Sequence, residues 1–191
     1  MRLGIFGYYV DFIGAVIGGS VLFILGMLSS AWVAKAEWLM CFLIGAVLWT
    51  LAEYAIHRWL YHSVSYFIVL HDEHHKSPTE YIGAPPLIGL LFIFGVIFLP
   101  VAAFSVMAAG GLTAGLLAGY ATYQLVHHAD HFWRPKPAGY FYRARLRHAV
   151  HHYHNELGNF GVTTPLWDLA LGSAVDARRT PSKLAARHEA G

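Results

Sequence analysis

Four stretches of about twenty apolar residues, at roughly 10–33, 38–56, 87–109 and 112–126, limit what this chain can fold into. A helix of about twenty apolar residues crosses the hydrocarbon of a bilayer. Backbone facing lipid must satisfy its own hydrogen bonds, so each stretch is read as a helix. The links between the first and second stretches, and between the third and fourth, are short, so each pair forms a hairpin. Composition agrees: 57% of the residues are hydrophobic and 13% charged, against about 25% charged in a typical soluble domain. The length of 191 residues allows one domain. We therefore expect a single membrane domain over 1–175 and a polar C-terminal tail over 176–191. Gly14-x3-Gly18 and Gly115-x3-Gly119 are read as helix-packing positions.

The basic residues orient the chain. With four spans, both termini share a side with the segment between the second and third helices. That side holds Arg2, Arg58, Lys76, Arg134, Lys136, Arg143, Arg145, Arg147, Arg178, Arg179, Lys183 and Arg187, and the other side only Lys35. This asymmetry places the termini on the cytoplasmic side of a multi-pass protein. A net charge of +2, with no basic run interleaved with aromatics, gives no reason to expect nucleic acid. Cys41 is the only cysteine, which rules out an internal disulfide and cysteine-based zinc sites. The start also resembles a signal peptide ending at Ala34-Lys35-Ala36, but its apolar stretch is long for one and pairs naturally with the second.

Histidine is the outlier. There are 13, and only His188 lies outside the stretch from His57 to His154. Unpaired imidazole is costly in a hydrophobic protein, so metal coordination is the first explanation to test. The histidines form four groups, all on the expected cytoplasmic side: His57 with His62; His71, His74 and His75; His127, His128 and His131; and His148, His151 and His152, with His154 just beyond. The second and fourth groups share the spacing His-x-x-His-His, whose members lie on one helix face. His127 and His131 also share a face, while His128 is rotated by about 100°. His57 and His62, five apart, fall about 140° apart on an ideal α-helix, so they reach different metals or span the helix end. The ten well-placed members are His57, His62, His71, His74, His75, His127, His131, His148, His151 and His152. One ion with four to six ligands cannot use ten, whereas two can. Imidazole suits iron, zinc, copper and nickel, and sequence does not choose among them.

Metal-bound imidazoles usually donate their far N–H to a carboxylate or carbonyl. Glu53, one turn before His57, is the first candidate for such support, followed by Asp72, Glu73, Asp130 and Asp168. Solvated charge is the competing assignment for Asp72, Glu73 and Asp130. Trp49, Tyr120 and Tyr123, near the inner ends of the second and fourth spans, are candidates for a substrate channel, with plain helix packing as the alternative. Arg134-Pro135-Lys136-Pro137 must break the last long helix. Further helices are expected over 140–156 and 166–171.

With these groups in view, the chain resembles the fatty acid hydroxylase and sterol desaturase superfamily over about 53–173. The signatures, in order, are His57-x4-His62, His71-x2-His74-His75, His127-x3-His131 and His148-x2-His151-His152, followed by Gly158-Asn159-Phe160-Gly161-Val162-Thr163-Thr164-Pro165-Leu166-Trp167-Asp168. The resemblance implies an all-α, integral membrane four-helix bundle with a cytosolic helical cap holding a histidine-rich dimetal site. All ten histidines carry over as ligands, with the choice of His127 over His128 left open by the doubled His of the third box. It implies two metal ions, iron in the working enzyme and zinc in some purified forms. It also implies O2 as co-substrate and hydroxylation of a lipid, a fatty acyl chain in the fatty acid 2-hydroxylase branch. A cytochrome b5-like or ferredoxin-like donor with a reductase would supply electrons in trans, since the chain carries no attached cytochrome b5 domain. Carotenoid or sterol hydroxylases and desaturases are the alternative within the superfamily. A non-catalytic metal-binding membrane protein or transporter is the alternative outside it, and is disfavoured because the histidines gather at one end of the spans.

Overall fold

The computed structural model describes residues 1–176, and their regular structure is helical apart from one isolated bridge between Arg2 and Ile82. The tail expected over 176–191 lies outside the described residues beyond Asp176. The chain divides into two compact units, Met1–Ala52 with Glu80–Gln124, and Glu53–Thr79 with the residues from Leu125 onward.

The first unit begins with α1 (Ile5–Met27) and α2 (Trp32–Ala55). Trp38 packs edge-on to Phe23 of α1, and a Cβ at Gly26 would lie 2.6 Å from its indole. The two helices therefore form a close hairpin. Helix α1 and the run Trp32–Tyr61 are long and apolar enough to cross a membrane. Phe6, Ile17, Leu25, Val33, Met40 and Val47 point outward and are exposed. An apolar surface this continuous needs a nonaqueous neighbour. Asp11, a carboxylate within the first apolar stretch, accepts the backbone N–H of Leu87 at 2.8 Å. Leu87 adopts a left-handed φ of 67° directly after Pro85-Pro86 and caps the next helix.

The third apolar stretch ends earlier than its hydropathy predicts. It comprises α4 (Ile88–Phe92), a π-helical segment (Ile93–Phe98) and α5 (Leu99–Ala102), and the turn follows at once. Helix α6 then runs from Val106 to Phe132. We expected the break at Gly110-Gly111. The start is instead fixed by Ser105, whose hydroxyl accepts the N–H of Ala108 at 3.1 Å and donates to Glu37 at 2.7 Å. This is an N-cap, which satisfies an otherwise orphaned donor of the first turn. The glycines stay helical because α6 lies against the backbone of α2. A Cβ at Gly111 would be 2.2 Å from the Trp38 carbonyl oxygen, and one at Gly115 would be 2.1 Å from that of Phe42. Trp49, Tyr120 and Tyr123 pack together in this unit's core beside Ala15, Ile93, Leu116 and Leu117.

The second unit takes up the end of α2 from Glu53, a π-turn (Ile56–Tyr61), α3 (Ser65–Lys76), the end of α6, α7 (Tyr140–Tyr153) and α8 (Leu166–Ala170). The proline-rich stretch after Phe132 ends α6 where the sequence requires. The loop over 154–165 connects α7 to α8.

Candidate metal centre

Four short runs of helix deliver the histidines of the second unit. The π-turn over Ile56–Tyr61 matters most, because it changes the period of the helix. A π-turn bonds each residue to the fifth before it, so positions five apart stand one above the other. His57 and His62 are therefore not splayed as an ideal α-helix would have them. Their rings stack with centroids 5.5 Å apart at 29°.

Nine of the ten expected histidines fall into two groups whose candidate ligand atoms lie within 4.8 Å of one another. One group is His57, His62, His71 and His151; the other is His74, His127, His131, His148 and His152. His75 stands beside both: its Nε2 is 3.0 Å from that of His71, and its ring lies flat against His152 with centroids 4.0 Å apart. Each His-x-x-His-His box is thus split between the groups rather than closing on one point. The reason is angular: the last two histidines of the box sit about 100° apart around the helix, so they straddle two centres.

At the four-histidine group, the Nε2 atoms of His57 and His151, together with that of His75 beside the group, surround that of His71 at 3.2, 3.5 and 3.0 Å. The opposite nitrogens face the loop after α7. His57 Nδ1 lies 2.6 Å from the Phe160 carbonyl oxygen, and His151 Nδ1 lies 2.9 Å from that of Gly158. A carbonyl only accepts, so both rings must carry hydrogen on Nδ1 and present a bare Nε2 lone pair to the cluster.

Carboxylates hold that loop. Glu53 accepts the N–H groups of Val162 and Thr163 at 2.7 and 2.8 Å and the Thr163 hydroxyl at 2.6 Å. Asp168 accepts the N–H groups of Phe160 and Gly161 at 2.9 and 2.8 Å and the Ser173 hydroxyl at 2.8 Å. Two buried side chains thereby fasten four consecutive backbone donors. Glu53 was expected on the far nitrogen of His57. It binds the loop whose carbonyl does that work, and Asp168 acts in the same indirect way. Gly161 is required by closeness, because a Cβ there would lie 2.2 Å from the Thr164 carbonyl oxygen. The sequence showed this loop as a recognisable stretch but gave no sign that it orients imidazoles.

In the five-histidine group, His131 Nε2 lies 2.9 Å from His148 Nε2 and 3.3 Å from His127 Nε2. His127, not His128, joins the cluster; the His128 ring stacks on Phe132 at 4.4 Å. Asp130 is buried, and neither of its oxygens has a hydrogen-bond partner among the described residues. Asp72 is exposed and Glu73 half-buried.

Burial, reinforced by neighbouring rings, drives the histidines toward the neutral form. His71 and His152 are pushed far down, His74 to about 4 by burial alone, and His131 and His151 to about 3. Each such ring is uncharged at neutral pH, with a lone pair available. Converging, neutral nitrogens, with the outward hydrogens of His57 and His151 already committed, fit divalent transition metals that favour imidazole. Phe160 closes one side, with its ring centroid 5.3–5.7 Å from those of His57, His62 and His151, and Tyr61 stacks on His71 at 5.4 Å.

These features define an all-helical protein with a buried histidine cluster able to hold metal. The fatty acid hydroxylase family profile matches residues 42–173, and the chain belongs to that family. Among curated relatives, it is 31% identical over 156 residues to fatty acid 2-hydroxylase of Rattus norvegicus, covering 73% of this chain and 41% of that one. It is 37% identical over 139 residues to fatty acid 2-hydroxylase of Homo sapiens, covering 66% and 37%. It is 30% identical over 138 residues to a dihydroceramide fatty acyl 2-hydroxylase of Arabidopsis thaliana, covering 68% and 58%. The chain thus spans about two fifths of the length of the mammalian relatives. The fold is also that of the hydroxylase domain visible in a solved structure of full-length scs7p, with a TM-score of 0.77 at 24% identity over 92% of this chain and 69% of that one.

Proposed function

We propose that the chain is a membrane-bound hydroxylase that converts a C–H bond of a long fatty acyl chain to C–OH. The carrying observation is the meeting of histidines from the π-turn after α2 and from α3, α6 and α7 in two adjoining groups with His75 beside both. In this reading ten histidines, His75 included, hold two metal ions, with iron as the working metal. The relatives, a fatty acid 2-hydroxylase and a dihydroceramide fatty acyl 2-hydroxylase, support the lipid class by their names. The apolar, outward-facing α1 and α2 support a membrane-embedded domain. We further assign four spanning helices under a cytosolic cap, with the histidines on the cytoplasmic side.

The balance of the reaction is R–H + O2 + 2 electrons + 2 protons giving R–OH + H2O, with the electrons from a cytochrome b5-like or ferredoxin-like donor. The bound metals would supply the oxygen activation that no side chain can provide. The protein's own part is positional. His57 and His151 are locked in one tautomer by the Phe160 and Gly158 carbonyls. Glu53 and Asp168 keep that loop in register. Phe160 and Tyr61 keep water from one side of the cluster.

The test is lipid profiling of cells expressing the protein against a His151→Ala control, with metal analysis of both purified proteins. Hydroxylated fatty acids that appear only with the unaltered chain are the expected result. New double bonds or altered carotenoids would move the assignment within the superfamily. An intact, metal-loaded protein with reductant and O2 that changes no lipid would refute it.

A further inference from the structure

Two histidines of the five-histidine group, His148 and His152, lack the carbonyl partners seen at His57 and His151. His148 turns Nε2 toward His131, which leaves Nδ1 facing away from the cluster. That Nδ1 is buried and has no hydrogen-bond partner among the described residues. Both nitrogens of His152 are buried in the same condition. A metal-bound ring ordinarily donates its outer N–H to a carboxylate, carbonyl or water. Leaving such a group unpaired in a buried site is costly.

Asp130 is the matching acceptor. It is 5% exposed, and both its oxygens are buried without a hydrogen-bond partner among the described residues. It stands three residues after His127 on α6, on the same helix face. It lines a cleft together with Thr79, His131, Arg145, His148 and His152. Two sets of orphaned groups, donors on the imidazoles and acceptors on the carboxylate, therefore share one small space. Arg145 and Arg147 hydrogen-bond the Trp133 and Val162 carbonyls and also act electrostatically on Asp130, and the buried Nε of Arg147 has no hydrogen-bond partner among the described residues.

We propose that Asp130 is the positioning residue of the five-histidine group. Its carboxylate accepts the outer N–H of His148, and of His152 beside it, through one water in the cleft. It thereby aims their inner nitrogens at a common point. The inference rests on the reading of the histidines as a dimetal site. It gives that site two kinds of brace, backbone carbonyls on one side and a lone carboxylate on the other.

The experiment is competition between a zinc chelator and the full chain in detergent, resolving two zinc affinities. Repeating it in a His57→Ala background identifies the affinity that belongs to the five-histidine group. Asp130→Leu should weaken that affinity by about 10–100-fold and leave the other unchanged. Asp130→Asn keeps one accepting oxygen and should lose less. Unchanged affinities in Asp130→Leu would overturn the proposal. So would an equal loss at both sites, since that marks a general role in folding. Unaltered protein that binds no zinc would instead remove the dimetal reading, and this inference with it.

Discussion

The two histidine groups use the same side chain but differ in what stands behind the rings. Behind His57 and His151 lies a loop whose carbonyls fix both tautomers, and four of whose N–H groups are fastened by Glu53 and Asp168. Behind His148 and His152 lies a cleft with one buried carboxylate, Asp130. The first group is organised by the fold before any ligand arrives. The second depends on few groups, so a single substitution there should act locally. The comparison teaches that pattern in a sequence specifies which rings meet, while the surrounding backbone decides how firmly each is aimed.

The strongest way to break the comparison is to remove the brace of the first group. Glu53→Ala strands the N–H groups of Val162 and Thr163 and the Thr163 hydroxyl in a buried site. Each unsatisfied buried group costs about 1–3 kcal/mol, so the expected loss in chemical denaturation is of that order or greater. Zinc affinity should fall at the four-histidine group by about 10–100-fold, with the five-histidine group less affected. Equal falls at both would mean that the loop serves the cluster as a whole and that the two groups are not separately braced.

Acid gives a smaller, graded effect. In metal-stripped protein the buried rings of His74, His131 and His151 stay neutral down to about 4, 3 and 3, because burial disfavours the imidazolium. An unfolded histidine takes up its proton near pH 6.5. Below that pH the unfolded chain binds more protons, so stability is fully present above about 6.5 and is lost as the pH falls toward the folded values. Each such histidine contributes a slope of about 1.4 kcal/mol per pH unit in that window. Unfolding of the stripped protein in detergent at pH 7, 6 and 5 should show a steady decline. Replacing His74 or His151 by Leu should each make the decline shallower. A stability flat across this range would mean that the rings are solvated rather than buried.

Much of this was legible in the spacing of residues. Apolar length marked α1 and α2, and the prolines marked the end of α6. The i, i+3 and i+4 histidines marked the faces that meet, because helix geometry alone sets those directions. Three features were not legible, each for a physical reason. The π-turn over Ile56–Tyr61 changes the helical period, and no residue there announces it, so the stacking of His57 on His62 does not follow from their spacing. Gly110-Gly111 reads as a turn, but in α6 the missing side chains serve backbone contact with α2. Glu53 sits one turn from His57 in sequence, yet it binds residues about 110 positions later, a pairing set by tertiary folding. Trp49, Tyr120 and Tyr123 pack as a cluster in the core of the first unit, an arrangement set by contacts between helices that are distant in sequence.

The smallest expected effect falls on the doubled histidine of the third box, where sequence left two choices open. His127 faces His74, His131 and His148, with ring centroids 4.8–4.9 Å away. His128 is turned about 100° around α6 and lies against Phe132. Substituting His128 by Ala removes a half-buried stacking contact and no member of either group. It should cost at most about 1 kcal/mol of stability, with both zinc affinities and any hydroxylase activity unchanged. His127→Ala should weaken the five-histidine group and spare the other. If His128→Ala instead released a metal, α6 would have to be rotated by one residue. Asp130 would then leave the cleft, and the distinction between a loop-braced and a carboxylate-braced group would fall with it.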